Sequence, residues 1–246
     1  MSIIKTENLS KIYHSHTSGV TALDQVNIEV AEGEFVAVMG PSGCGKSTLL
    51  HLLGGLDLPS EGRIWINDQA IDAMSDDHLT EMRRRNIGFI FQFFNLIPVL
   101  SAVENAALPL TLDGIKMEDA KLEAEKWLIR FGLEDRLQNR PDQLSGGQQQ
   151  RVAVARALVA NPALILADEP TGNLDTRSGD EIAELLHEVV ETYHRTVVMV
   201  THDPRIAAFS DRIIFLKDGK VIDETVLDRK SDKESFLNQI VKTLEF

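Results

Sequence analysis

The sequence predicts an α/β fold in which helices cover a parallel sheet, and two observations lead to this prediction. Short apolar stretches typical of strands alternate along the chain with segments of helical periodicity. Residues 35–39 and 164–167 are continuously apolar, as strands buried on both faces of a sheet usually are. Glycines follow the first of these strands and carboxylates follow the second, so the carboxyl edge of the sheet is the predicted functional edge.

The predicted strands and helices follow one another in a simple order. Val26, Ile28 and Val30 alternate with polar residues and predict one half-buried strand. The core strands predicted after it cover residues 35–39, 164–167, 196–200 and 212–216. No core strand is predicted between residues 75 and 160, so we interpret that section as an inserted helical lobe.

Three helices are predicted from apolar spacing. The first ends before Gly132, a typical C-terminal cap, and the third opens with a capping box at Ser231 and covers about residues 231–246. For this amphipathic terminal helix, packing on its own chain is favoured over contact with a partner. The apolar faces of the first two helices consist of Ala120, Ala124, Trp127, Leu128 and Phe131, and of Ile182, Leu185, Leu186, Val189, Val190 and Tyr193.

Composition and charge exclude several classes of protein. Among 246 residues, 38 Asp and Glu outweigh 25 Lys and Arg, and the net charge of −13 argues against a nucleic-acid partner. The single cysteine, Cys44, excludes an internal disulfide and fits a reducing compartment. No apolar run approaches the ~20 residues that cross a bilayer, and the first residues do not resemble a signal peptide. We therefore expect a soluble, acidic, intracellular protein.

A glycine-rich loop directly follows the predicted strand 35–39 and precedes a helical segment, which is the context of a phosphate-binding loop. Glycines allow backbone amides to approach phosphate oxygens, and the following helix directs its positive end at the same anion. Lys46 supplies a point charge for the β- and γ-phosphates, and the Ser47 hydroxyl is suited to Mg²⁺. The predicted loop consists of Gly40, Pro41, Ser42, Gly43, Cys44, Gly45, Lys46, Ser47 and Thr48.

Two carboxylates and a histidine follow the predicted strands at this same edge. Asp168 ends the strand over 164–167 and is placed to hold Mg²⁺, while Glu169 points elsewhere and suits a base for an attacking water. His202 follows the strand over 196–200 and could bond the γ-phosphate and that water. Together with the glycine-rich loop, these residues predict a nucleotide hydrolase.

A second anion site is predicted far along the chain from the first. Ser145 is a predicted N-cap, and two glycines after it leave backbone amides bare at the start of a helix over Gln148 to about Ala160. The motif consists of Leu144, Ser145, Gly146, Gly147 and Gln148.

With this motif the sequence resembles the ATP-binding cassette (ABC) ATPases from about residue 3 to about 223. The resemblance implies a P-loop NTPase fold with a RecA-like parallel-sheet core, an antiparallel β subdomain and an inserted α-helical subdomain. Residues 1–246 would form one nucleotide-binding domain. Its core lobe would cover about 1–90 and 162–223, and its helical lobe about 91–161.

The resemblance also assigns roles to individual residues. It implies that Tyr13 stacks on adenine, that Gln92 contacts Mg²⁺ and water at the hinge of the helical lobe, and that Asp175 communicates between two sites. It implies ATP and Mg²⁺ as cofactors, with Glu169, His202, Gln92 and Lys46 as the catalytic set. A second copy of the chain would bind head to tail, so that Ser145 of each copy closes over the nucleotide of the other.

The motifs over residues 91–98, 104–105, 168–175 and 201–204 resemble those of the macrolide-efflux and lipoprotein-release group, including heterocyst-glycolipid exporters. This resemblance implies a permease partner of FtsX/MacB-like type with about four membrane spans. The chain would then be cytoplasmic and peripheral on the inner face of the plasma membrane. About two-thirds of the large apolar residues over 89–100 are expected in the core, with residues 93–100 forming part of a groove for the partner.

Two other functions remain open at this stage: a signalling switch of the cell-division cassette type, and a soluble cassette ATPase without a membrane partner. Only 98 residues separate Ser47 from Ser145, which is too short for the long coiled coil of the chromosome-maintenance cassettes. The single cassette and the acidic charge also argue against the soluble alternative.

Overall fold

The computed structural model describes residues 1–14 and 19–227, which form two sheets and a helical region. The strands are β1 (Ser2–His14), β2 (Gly19–Val26), β3 (Glu29–Ala31), β4 (Phe35–Met39), β5 (Glu61–Ile66), β6 (Gln69–Ala70), β7 (Ile87–Phe91), β8 (Leu164–Asp168), β9 (Thr196–Val200), β10 (Arg212–Lys217) and β11 (Lys220–Val226). The helices are α1 (Lys46–Leu53), α2 (Asp76–Asn86), α3 (Ala102–Leu112), α4 (Met117–Arg130), α5 (Gly146–Leu158), α6 (Thr176–Tyr193) and α7 (Pro204–Ala207).

A six-stranded sheet in the order β11-β10-β4-β9-β8-β7 lies at the centre of the fold. The strands from β10 to β7 are parallel to one another, and β11 is an antiparallel edge strand. Every residue of β4 and β9 is buried, because helices cover both faces of these central strands. The predicted parallel-sheet core is therefore confirmed.

A five-stranded antiparallel sheet packs beside it in the order β2-β1-β5-β6, with β3 also paired to β1. The single strand predicted through Val26, Ile28 and Val30 is wrong, because β2 ends at Val26 and β3 begins at Glu29. Between them Ile28 donates its amide to the Thr6 hydroxyl, so a side chain replaces the strand ladder there. All three apolar side chains are nevertheless buried.

Residues 87–91 correct the prediction that no core strand lies between 75 and 160. They form β7, the edge strand of the central sheet, which pairs in parallel with β8. A five-residue apolar stretch beside a phenylalanine-rich segment has no period that distinguishes strand from helix. Gly88 is required in β7, since a Cβ there would lie 2.4 Å from the Ala157 carbonyl oxygen of α5.

The helices between α3 and α6 agree well with the periodicity of the sequence. The predicted faces of α4 and α6 are confirmed, with Ala120, Ala124 and Leu128 buried on α4. Gly132 has a φ of 68° and follows the end of α4, as predicted for a C-terminal cap. The predicted terminal helix over 231–246 lies outside the described residues.

Candidate functional site

The carboxyl ends of β4, β8 and β9 meet at one edge of the central sheet. β9 lies between the other two strands, and Val200 is paired with both Val38 and Asp168. The glycine-rich loop after β4, the carboxylates after β8 and the histidine after β9 therefore lie side by side, as the sequence predicts.

The glycine-rich loop is compact and leads directly into α1. Gly45, with a φ of 105°, is the N-cap of α1, so the helix begins at Lys46 rather than at the predicted Leu49. The Lys46 side chain folds back and donates to the carbonyl oxygens of Gly40 and Pro41 at 2.9 and 3.0 Å. Lys46 is only 8% exposed, so a cation stands at the positive end of a helix with no carboxylate bonded to it among the described residues.

The other residues of the loop differ in their exposure to solvent. Pro41, Ser42 and Gly43 are exposed, whereas Cys44 is buried and Thr48 lies half-buried in the first turn of α1. Burial raises the pKa of the Cys44 thiol, which therefore stays protonated at neutral pH. Cys44 thus contributes packing and its backbone to the loop.

The five-stranded antiparallel sheet packs on this loop through β2. A Cβ on Gly45 would lie 2.2 Å from the Ala22 carbonyl oxygen, so only glycine permits the contact. Gly40 makes a similar approach, since its Cβ would lie 2.0 Å from the Leu216 carbonyl oxygen in β10. Strands from both sheets therefore fix the shape of the loop.

Ser47 and Asp168 form a pair of oxygen ligands beside the loop. The Ser47 hydroxyl donates to the Asp168 carboxylate at 3.0 Å. Mg²⁺ binds hard oxygen ligands and uses one or two protein groups together with phosphate and water, so this pair fits that ion. Among residues 1–14 and 19–227 there is no cluster of three or more His, Cys, Asp or Glu that could enclose a metal.

Glu169 and His202 form a second pair at this edge. Nδ1 of His202 lies 2.9 Å from a carboxylate oxygen of Glu169, within hydrogen-bond distance. Glu169 adopts a left-handed φ of 47°, and its amide donates to the Val200 carbonyl oxygen. The His202 side chain is 68% exposed and can reach a ligand above the loop.

The predicted second anion site lies at the start of α5. Ser145 accepts from the Gln148 amide, and the Gln148 side chain accepts from the Ser145 amide, which completes a capping box. The helix begins at Gly146, two residues earlier than predicted, and the amides of Gly146 and Gly147 have no partner within it. Ser145 is exposed, so this helix end faces outward.

Asp175 lies close to this motif in the same chain. Its carboxylate caps α6 by accepting from the amide and the hydroxyl of Ser178 at 3.1 and 2.7 Å. The hydrogen bonds from Ser178 hold the pKa of Asp175 below its usual value. A Cβ on Gly147 would lie 3.2 Å from the Ser178 hydroxyl, so the starts of α5 and α6 pack against each other.

Gln92 directly follows β7 and contacts the loop that follows β8. Its carbonyl oxygen accepts from the Asn173 side chain at 2.9 Å. A Cβ on Gly172 would lie 2.8 Å from the nitrogen of the Gln92 amide, so the two residues are in close contact. The end of β7 is therefore joined to the segment between Glu169 and Asp175.

Gln150 is a residue of this region that sequence reasoning missed. It is fully buried in α5, and its amide nitrogen donates to the carbonyl oxygens of Pro170 and Phe91 at 2.6 and 3.4 Å. Gln150 thus joins the capped helix to the residue after Glu169 and to the residue before Gln92. The available signal was a polar side chain on the buried face of a helix, since such groups nearly always have a bonding partner.

Tyr13 lies near the end of β1, where its ring is 42% exposed. Its hydroxyl donates to Asp57 at 3.1 Å, and the Lys11 ammonium lies 5.0 Å from the centre of its ring. The sequence did not predict these two contacts. Asp57 lies 44 residues from Tyr13 along the chain, and Lys11 lies two residues away on the same strand.

A cleft of about 560 Å³ lies between α2, β7, α3 and α5. Phe89, Phe91 and Pro109 contribute apolar walls, and three arginines also line the cleft. Arg156 is held there by the carbonyl oxygens of Phe94 and Asn95, and burial lowers its pKa. The basic side chains that line the cleft are Arg83, Arg84 and Arg156.

The expectation that most large apolar residues over 89–100 belong to the core is wrong. Only Ile90 is buried, because β7 is an edge strand and the chain then leaves the sheet. Phe93, Ile97 and Val99 are exposed, with Phe93 exposed by 73%. Among the described residues no helix is both long and apolar enough to cross a lipid bilayer.

A phosphate loop, an acidic strand end, a histidine and an outward-facing capped helix define the cassette class of P-loop nucleotide hydrolases. Residues 23–172 match the ABC transporter family, and the chain belongs to it as an ATP-binding ATPase subunit.

Curated relatives agree with this assignment. The chain is 48% identical to an uncharacterised ABC transporter ATP-binding protein of Methanocaldococcus jannaschii, over 94% of this chain and 100% of that protein. It is 46% identical to the lipoprotein-releasing system ATP-binding protein LolD of Idiomarina loihiensis, over 88% of this chain and 95% of that protein. It is 47% identical to the macrolide export ATP-binding/permease protein MacB of Vibrio parahaemolyticus, over 91% of this chain but 34% of that longer protein.

Solved structures give the same family. The fold is similar to the ATP-binding cassette MJ0796 in a dimeric, post-hydrolysis state bound to ADP and Pi. The TM-score is 0.85 at 48% identity, over 92% of this chain and 99% of that chain. The predicted family, fold and ATPase class are therefore confirmed.

Proposed function

We propose that two copies of this chain enclose ATP head to tail and that closure of this dimer drives a membrane partner. The observation that carries the proposal is the exposed start of α5. A capped helix with two bare glycine amides faces outward, and the phosphate loop of the same chain is already complete without it. The dimeric state of the MJ0796 structures supports the pairing of two copies.

In the proposed site each residue has a distinct role. Lys46 and the loop amides bind the β- and γ-phosphates, and Tyr13 stacks on the base. Ser145 and Gly147 of the second copy approach the γ-phosphate from the other side. Ser47, Asp168 and Gln92 would hold Mg²⁺, which when bound neutralises charge that develops on the phosphates.

Hydrolysis requires a base and a group that orients the water. Glu169 accepts the proton of the attacking water, and His202 holds Glu169 through their 2.9 Å contact. Gln92 and Asp175 are both joined to the segment after Glu169. Binding of nucleotide at one site would therefore affect the hinge and the neighbouring site through this same segment.

A mixing experiment tests the composite site. Lys46→Ala removes the phosphate loop function, and Ser145→Arg fills the helix start with a bulky side chain at an exposed position. Each variant alone is expected to lack ATPase activity. An equal mixture forms hybrid dimers with one intact site, and its activity should rise to about a quarter of the wild-type rate. A mixture as inactive as its components would contradict the proposal, and Ser178→Ala provides a control with a small substitution beside the motif.

The cleft and the segment over residues 93–100 are proposed to contact the membrane partner, a permease of FtsX/MacB-like type. The apolar walls would receive a short helix of that partner. The chain would then be held at the inner face of the plasma membrane through this partner. The macrolide and lipoprotein relatives support export as the driven process.

Phe93→Ser tests this surface, because Phe93 is the most exposed aromatic residue beside the cleft. We expect copurification with the permease to be lost while ATP binding by the isolated subunit is unchanged. Leu122→Ser is a matched control at an exposed apolar position on α4. Unchanged copurification of the Phe93 variant would contradict the assignment of this surface.

A further inference from the structure

Lys11, Tyr13 and Asp57 form a bonded group, here named the platform cluster, that joins β1 to the segment after α1. The Asp57 carboxylate accepts from the Lys11 ammonium at 2.7 Å and from the Tyr13 hydroxyl at 3.1 Å. Next to it, the Ile12 amide donates to the Ser60 hydroxyl at 3.0 Å, so the two segments are joined at successive positions.

The platform cluster fixes the ring of Tyr13 at its hydroxyl and by a cation. The Lys11 side chain is 13% exposed and its ammonium lies 5.0 Å from the ring centre, within the range of a cation–π contact. Part of the ring remains exposed. Burial alone would raise the pKa of Asp57, but hydrogen bonds from Lys11, Leu58 and Tyr13 outweigh it and hold the pKa below its usual value. Asp57 therefore stays ionised at neutral pH.

Asp57 and the strand that carries Tyr13 are both connected to the phosphate loop. Tyr13 is paired with Val20 in β2, and Ala22, two residues further along that strand, contacts Gly45 of the loop. Two residues of a strand span about 7 Å. Asp57 follows the end of α1, the helix that begins at Lys46. Two connections, one through β2 and one through α1, thus fix the position of the ring relative to the phosphate loop.

We propose that Asp57, aided by Lys11, is a positioning residue that holds the Tyr13 ring as a preformed platform for the nucleobase. The proposal rests on the proposed function, in which Tyr13 stacks on adenine. Asp57 acts through Tyr13 and lies on the side of the ring hydroxyl. A ring held in one rotamer before binding loses less conformational freedom when the base stacks on it.

The test compares ATP with inorganic tripolyphosphate, which carries the phosphates without a base. Asp57→Ala and Tyr13→Phe are each expected to raise the Kd for ATP about 3- to 10-fold, as the release of one ordered side chain predicts. The Kd for tripolyphosphate should be unchanged. The double variant should match Asp57→Ala alone, because that substitution already removes the bond to the Tyr13 hydroxyl.

Glu61→Ala is the matched control, since Glu61 is an exposed carboxylate on β5 that makes no ion pair among the described residues. It should leave both Kd values unchanged. If Asp57→Ala raises both Kd values equally, the positioning role is overturned. If it raises neither while Tyr13→Ala weakens the binding of ATP alone, the positioning role is overturned and the stacking role of Tyr13 stands. If Tyr13→Ala also leaves ATP binding intact while Lys46→Ala abolishes it, the stacking role of Tyr13 itself is wrong.

Discussion

The helices α1 and α5 both start at proposed phosphate sites, yet they start in opposite ways. α1 begins after Gly45, which has no side chain to accept from the first amides, and a β strand and a buried lysine surround this start. α5 begins after Ser145, whose hydroxyl closes a capping box at an exposed position. A helix without a cap leaves its first amides for a ligand, whereas a capped helix is stable by itself.

This difference indicates which half of the site depends on ligand. The start of α1 is held by packing and is complete only when an anion satisfies its amides. The start of α5 needs no anion for stability, so it can remain exposed until a second copy brings it to one. Changes at α1 should therefore affect binding strongly, and changes at α5 should affect the free subunit weakly.

Lys46→Ala is expected to have the largest effect. Removing one member of a desolvated charge pair costs about 2–5 kcal/mol, so the Kd for ATP should rise by about 30-fold to 3,000-fold. A fluorescence titration with Mg²⁺–ATP measures the change. An affinity within threefold of the wild type would show that the α1 site does not bind the phosphates.

Gly45→Ala should be the next largest. The φ of 105° strains any other residue, and the new Cβ would meet the Ala22 carbonyl oxygen. We expect the free energy of unfolding to fall by at least about 2 kcal/mol in a urea titration. Gly147→Ala in α5 is the matched comparison and should lower it by less, because Gly147 has no positive φ and its new Cβ would meet only the Ser178 side chain, at 3.2 Å. Equal effects would remove the contrast between the two helix starts.

Ser145→Ala should have the smallest effect on the free subunit. Loss of an N-cap typically costs about 1 kcal/mol, so unfolding in the absence of ATP should shift only slightly. The same variant should keep its affinity for ATP as a monomer. A large loss of monomer affinity would place Ser145 in the site of its own chain.

The sequence predicted almost completely which residues meet at the carboxyl edge of the central sheet. Residues 40–48, Asp168, Glu169 and His202 lie at or just after the ends of central strands, and buried parallel strands have a continuous apolar pattern that is easy to recognise. Pairing of these strands in parallel then brings the three loops together.

The less predictable features depend on contacts between distant segments. Gln150 bonds carbonyl groups 59 and 20 residues away, and Asp57 bonds Tyr13 across 44 residues, so spacing along the chain could not predict them. β7 was missed because an edge strand followed by an exposed apolar segment resembles one continuous hydrophobic stretch. The burial of residues 89–100 was overestimated for the same reason.

Glu169→Gln isolates the ATP-bound dimer, since it removes the base while retaining the shape of the site. Size-exclusion chromatography of this variant at high concentration measures whether ATP joins two copies. We predict a dimer that holds two ATP molecules in the presence of ATP and a monomer without it, with the addition of Ser145→Arg restoring the monomer. A variant that binds ATP and nevertheless elutes as a monomer would contradict the shared site.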